Sequence, residues 1–324
     1  MGFVHLRAVP SGQTAKDARR RLKQEIQAAG ARFCELLEAK LEAGLPSSPE
    51  ELLNLEREVH QQIARDCIDP VIAEVIQAAH DSVEVADQAE LLLDARPYLR
   101  LQDSGQTVGV TLLGGSTVRI HSPYFLDRCP RPGRRRKRGR RGKPGNGLYP
   151  GLAVLGIHYR VSPALASEVA RLTVMSTTQE AVETLALRGI KIDRKKALAL
   201  TGRLAQRGLE YRQWLQEQVS QNPGGPGCLK GKRLAMGTDG GRVRLRYRTR
   251  GPRRKSGHRG FKADWKEPKV LIVYEIDAVG NKVKRGLLRY DATLGDADAA
   301  FKILVAMLKE LGAYEALEWV IIGD

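Results

Sequence analysis

From Thr14 to about Leu41 the apolar residues Leu22, Ile26, Ala29, Phe33 and Leu36 recur at alternating steps of four and three, the spacing of one seam along a helix. Gly44 and Pro46 end that pattern. Ser48-Pro49-Glu50-Glu51 opens the next helix, with Ser48 as N-cap, Pro49 at the first helical position and Glu51 placed to reach back as a capping box. Leu52, Leu55, Val59 and Ile63 continue its apolar face. Pro70 is expected to kink or end it, because proline lacks the N–H and its ring clashes with the preceding turn, and Val71–Ala79 resumes the pattern. The first hundred residues therefore predict a helical hairpin or a short coiled coil. Simple self-packing and a dimerisation device are both open, so a homo-oligomer is one partner to consider.

The periodicity then changes twice. Thr107–Leu113 and Thr117–Ile120 flank Gly114-Gly115 with β-branched residues, which predicts a hairpin. Ser162-Pro163 starts a helical block running to about Gln221, with helices near 163–174, 178–188 and 194–219. Thr177 with Glu180 forms a second capping-box pattern, and Asp193 is placed to cap the last helix, whose first turn carries Arg194, Lys195 and Lys196. Three short helices with a basic start to the third suit a helix-turn-helix unit, although ordinary helical bundles share the spacing. Beyond the flexible joint Asn222–Gly227 the pattern becomes strands at Leu234–Thr238, Val270–Ile276 and Lys284–Tyr290, an amphipathic helix at Asp296–Leu311, and a last strand at Trp319–Ile322. The chain thus reads as α+β and multidomain: a helical region over 1–100, a β-hairpin with an Arg-rich loop over 101–160, a helix-turn-helix-like block over 161–221, and an α/β domain over 222–324.

Charge adds a partner to this picture. The 324 residues carry a net charge of +17, yet residues 1–100 hold 12 Lys/Arg against 17 Asp/Glu, leaving +22 on the remainder. Two stretches dominate. One is Arg131–Lys143, with Arg134, Arg135, Arg136, Lys137, Arg138, Arg140 and Arg141; prolines and glycines are mixed through it, so no ordered helix is expected there. The other is Lys230–Lys262, with Arg242, Arg244, Arg246, Arg248, Arg253, Arg254 and Lys255, in which Asp239 is the only acid. Basicity concentrated in this way neutralises phosphates and releases counterions, which predicts double-stranded DNA as the partner and steeply salt-dependent binding; solvated loops are the plainer alternative. No run of eighteen apolar residues and no apolar signal core occurs, so the expectation is a cytoplasmic protein with no membrane partner and no small-molecule substrate. Cys34, Cys67, Cys129 and Cys228 form no C-x-x-C pair and read as reduced thiols.

Two carboxylates stand out by position. Asp239 follows one apolar strand within Gly237-Thr238-Asp239-Gly240-Gly241, and Asp324 follows another in Val320-Ile321-Ile322-Gly323-Asp324. In a strand, strand, strand, helix, strand order the first and fourth strands can lie side by side, bringing the two together. Paired hard oxygen ligands suit Mg²⁺ or Mn²⁺ in phosphodiester chemistry; a turn role is the plainer reading of each Asp taken singly. Arg242, Arg244, Arg246 and Arg248 alternate along an extended segment, as residues lining a phosphate track or protecting an edge strand would. Trp265 either stacks on a base or packs over the sheet, with packing favoured. His258 reads as a loop histidine.

The blocks Gly237-Thr238-Asp239-Gly240-Gly241-Arg242-Val243-Arg244 and Trp265-Lys266-Glu267-Pro268-Lys269 followed by a strand resemble those of bacterial insertion-sequence DDE transposases of the Kra type, from the hairpin at Thr107 to Asp324. The resemblance implies a ribonuclease-H-like catalytic domain, here partial, in which Asp239 and Asp324 are the first two metal-binding carboxylates and a Glu on a later helix is the third. It implies a DNA transposase that cuts and rejoins element ends and target DNA with Mg²⁺ or Mn²⁺. Because the chain stops at Asp324, it is expected to bind DNA without a complete carboxylate set. A non-catalytic DNA-binding regulator or inhibitor derived from a transposase is the alternative. Glu275, Asp277 and Asp291 are the nearest substitutes for the third ligand, with a strand-face or turn role expected for each. Relatives tend to carry a cysteine-containing turn after the hairpin, where this chain has Cys129 alone.

Overall fold

The computed structural model describes residues 11–127, 147–221, 227–247 and 262–322, with Lys255 and Gly257 between the last two segments. It is a mixed α and β fold that divides into two compact units, 1–205 and 206–324. The three regions expected over 1–221 therefore contribute mainly to one unit, and the boundary falls inside a helix instead of at the Asn222–Gly227 joint.

In the first unit, α1 (Ser11–Glu42) is the predicted long helix, followed by α2 (Pro49–Gln62). Ser48 Oγ accepts the Glu51 N–H at 3.2 Å, as an N-cap should. The Glu51 carboxylate, however, lands on Ser47, accepting its N–H at 2.7 Å and its hydroxyl at 2.8 Å. Those bonds, the Ser47 N–H foremost, hold Glu51 below the usual carboxylate range. Pro70 neither ends the helix nor breaks it. A π-helical turn at Ile63–Ile68 precedes α3 (Asp69–His80), so Pro70 occupies a first-turn position, where its missing N–H is not required. Cys67 is buried beneath α1, whereas Ile26 and Phe33 on the predicted seam stay 53% and 39% exposed. After α4 (Val83–Asp94) come the strands β1 (Leu99–Thr111) and β2 (Thr117–Asp127), longer than predicted, with the short β3 (Gly147–Leu148) added beside β2.

A short helix, α5 (Pro150–Val154), leads to α6 (Pro163–Met175), α7 (Thr178–Leu187) and α8 (Arg194–Gln221). Leu165, Val169, Leu185, Ile190, Ile192, Ala197 and Leu200 form the shared core of the last three, each fully buried aliphatic side chain worth roughly 1.5–3 kcal/mol. The Thr177–Glu180 capping box is present in both directions, and Asp193 Oδ1 caps α8 by accepting the Lys196 N–H at 2.9 Å.

The second unit contains a four-stranded sheet. Its strands are β4 (Arg233–Gly240), β7 (Lys269–Ile276), β8 (Leu288–Thr293) and β9 (Glu318–Ile322), with β5 (Val243–Tyr247) and β6 (Lys262–Lys266) forming a separate antiparallel ribbon between β4 and β7 in sequence. The order across the sheet is β8-β7-β4-β9, with β9 parallel to β4 and the other pairs antiparallel. Helix α9 (Ala297–Glu310) links β8 to β9 and packs Ile303, Met307 and Leu308 on Leu234, Met236, Leu271 and Val273. The third strand of this sheet begins at Leu288, later than the expected Lys284, because Arg285 adopts a left-handed φ of 63° and Val283 returns its N–H to Glu275 O, closing a turn.

Candidate functional site

Asp239 lies near the end of β4, its backbone in register with Val270 of β7. Its side chain is exposed, and among the described residues nothing hydrogen-bonds to its carboxylate. The neighbouring strand β9 runs parallel to β4 through the pairs Arg233↔Glu318 to Gly237↔Ile322. Asp239 is two residues beyond Gly237, and in sequence Asp324 is two beyond Ile322; Asp324 itself lies outside the described residues. No group of three metal-ligating side chains occurs among the described residues.

The candidate substitutes for a third carboxylate are each engaged. Glu275 is paired with Lys232 Nζ at 3.0 Å and accepts the Leu287 N–H. Asp277 accepts the Val279 and Asn281 N–H groups at 2.9 and 2.8 Å, and those bonds, Asn281 first, keep its carboxyl below the usual range. Asp291 is bound to Arg212 Nη1 at 2.8 Å on the α8 stretch within the second unit. They close turns and tie elements together.

The predicted DNA-binding residues fall in three places. Arg194 and Lys195 are exposed on the first turn of α8, where the helix dipole also favours anions. Lys196 is half-buried, and burial, reinforced by nearby Arg160 and opposed by Asp193, pushes its ammonium below the usual lysine value. Arg160 is a neighbour that the sequence did not single out: it and Tyr159 hold left-handed φ values of 61° and 52°, and its carbonyl accepts the Thr111 N–H at 2.9 Å. In the second unit Arg242 and Arg244 are exposed, Arg244 pairing with Trp265 and Arg246 with Ala263 in the β5–β6 ribbon; Lys255 is exposed. Arg134, Arg135, Arg136, Lys137, Arg138, Arg140, Arg141, Arg248, Arg253 and Arg254, together with Cys129 and His258, lie outside the described residues. Trp265 is 62% exposed, so it is not packed over the sheet as its neighbourhood suggested.

One constellation has the outline of a nucleophile, base and acid: His80 Nε2 is 2.9 Å from Ser122 Oγ and its Nδ1 is 3.0 Å from Asp81 Oδ1. Ser122 is only 1% exposed. No substrate reaches a hydroxyl so enclosed, and these bonds tie α3 to β2.

Among the described residues no helix is long and apolar enough to cross a membrane. No family model, no curated protein and no solved structure matches this chain.

Proposed function

We propose that this chain is a DNA-binding protein of the DDE transposase type, built to act on element ends and target DNA in the cytoplasm. The observation that carries the reading is the sheet order: the strand bearing Asp239 lies beside, and parallel to, the strand that leads in sequence to Asp324. Three antiparallel strands followed by a helix and a parallel fourth strand are consistent with the ribonuclease-H-like arrangement that the Asp239 and Trp265 blocks resemble. The hard oxygens of Asp239 and Asp324 fit Mg²⁺ or Mn²⁺ and would hold it, and such a cation activates an attacking oxygen and stabilises the leaving one. An accessible Asp239 carboxylate is consistent with that role. Arg194, Lys195, Arg242 and Arg244 would position the phosphate backbone, with the Arg134–Arg141 run adding sequence-independent attraction.

The reading is tested by titrating the chain with Mn²⁺ calorimetrically and incubating it with duplex DNA in Mn²⁺. Cation binding that is lost in both Asp239→Asn and Asp324→Asn supports the paired site; binding unchanged in both overturns it. Replacing Arg134 and Arg135 by alanine is expected to weaken duplex binding and to flatten its salt dependence, by about 0.9 in log–log slope for each phosphate no longer neutralised.

A binding-only regulator is the second reading, favoured by one observation: Glu275, Asp277 and Asp291 are all committed to partners of their own. An Asp239→Ala substitution that changes no function of the chain, Mn²⁺ binding included, while Arg134→Ala with Arg135→Ala weakens duplex binding, assigns the protein to it.

A further inference from the structure

Large aromatic side chains on a thin two-stranded ribbon have little to pack against, and Trp265 shows the consequence: it is 62% exposed on β6. Its cross-strand partner is Arg244, so the indole and the guanidinium rise from the same face of the ribbon. Asp264, the only carboxylate in either strand, points to the opposite face, where it lies 3.5 Å from Lys266. Within the two strands the Trp265 face therefore carries cation and aromatic and no acid, and Glu267, two residues beyond Trp265, is paired with Lys269 Nζ at 3.1 Å. The sequence from Arg242 to Lys262 supplies ten Lys/Arg and no Asp or Glu.

The ribbon is fixed to the sheet. Gly241 donates its N–H to Pro268 O at 3.2 Å, directly beyond the Gly240↔Lys269 pair, so β4 runs on into β5 and β6 into β7. Along this path Arg244 is five residues from Asp239, at most about 17 Å in extended chain. That is a span of a few nucleotides of one DNA strand.

We propose that Trp265 is a stacking platform for an unpaired nucleobase, with Arg244 holding the adjoining phosphate, so that the ribbon grips single-stranded or frayed DNA close to the Asp239 end of β4. The ligand class is a single-stranded oligonucleotide, and recognition is tolerant of sequence because every base offers a π-face. The inference rests on the DNA partner of the proposed function and goes beyond it by assigning a binding mode for unpaired strands.

The test uses the full chain carrying Trp214→Phe and Trp319→Phe, leaving Trp265 as the sole indole, titrated with a fifteen-nucleotide oligothymidylate and with a duplex of equal length. Stacking quenches Trp265 emission on saturation with the single strand. In the chain that keeps its other tryptophans, Trp265→Ala weakens single-strand binding about tenfold, Trp265→Phe stays within about threefold, and duplex affinity is unchanged by either. Saturable single-strand binding with no quenching and no loss in Trp265→Ala overturns the stacking site and leaves the duplex-binding reading standing. An equal loss on both DNAs also overturns it, since the side chain would then act on the fold. No binding to either DNA overturns the stacking site together with the DNA reading beneath it.

Discussion

The junction of α3 with the β1–β2 turn and the end of β4 each centre on an aspartate, and the two are treated in opposite ways. Asp69 is 2% exposed and accepts the Gly114 N–H at 3.3 Å and the Ser116 N–H at 3.0 Å, so a helix start holds a hairpin turn forty-odd residues away. Around it the space is filled: a Cβ on Gly114 would sit 2.6 Å from Asp69 Oδ2, and one on Gly115 2.9 Å from the Gly189 carbonyl, itself bonded to Arg65. Asp239 has a hydrogen-bonded backbone and an open carboxylate. A buried polar group is stable only when it is hydrogen-bonded, whereas an exposed carboxylate at a strand end needs no protein partner. The difference separates an aspartate that builds the fold from one whose carboxylate is left open to solvent.

That contrast is sharpened first by Asp69→Ala. It strips the acceptor from two partly buried N–H groups, and a loss of about 2–4 kcal/mol from the stability of the first unit is expected in urea unfolding. An unchanged midpoint would break the comparison. Next, Gly114→Ala forces a methyl against the same carboxylate and is expected to cost about 1–3 kcal/mol in the same assay. Asp239→Ala comes below both, within about 0.5 kcal/mol of the unaltered chain, because its side chain is exposed and without a described partner; a larger loss would give Asp239 a structural role.

The smallest effect is acid sensitivity. Glu168, bonded foremost by Arg171 and also by Arg188, and Glu51 and Glu180 at their helix starts, all titrate below the ordinary value of 4.5. A carboxylate depressed in the folded state contributes stability that is complete above its unfolded value and disappears as pH falls through the folded one. Melting temperature is therefore expected to hold down to about pH 5 and to decline below 4.5, with a shallower decline in Glu168→Gln followed by circular dichroism.

Much of the secondary structure was legible because its signals are local. Ser48, Thr177 and Asp193 cap the helices that their spacing announced, and the continuous run Val270–Ile276 is the central strand β7. The adjacency of the Asp239 strand and the last strand also followed from the order of elements, since a helix crossover returns a strand parallel to an earlier one. The Asp69 clasp was not legible, because an Asp before a proline looks the same whether its carboxylate meets water or a distant turn. Trp265 was misplaced for the converse reason. An aromatic beside an apolar strand suggests burial, and only the pairing of β5 with β6 as a ribbon apart from the sheet leaves it open. The sequence by itself determined the helix caps, the apolar periodicities and the concentration of cationic charge, all set within a few residues. Tertiary structure alone decided which carboxylates are enclosed and which aromatics, Trp265 among them, are exposed, because burial depends on what distant segments bring to the same place.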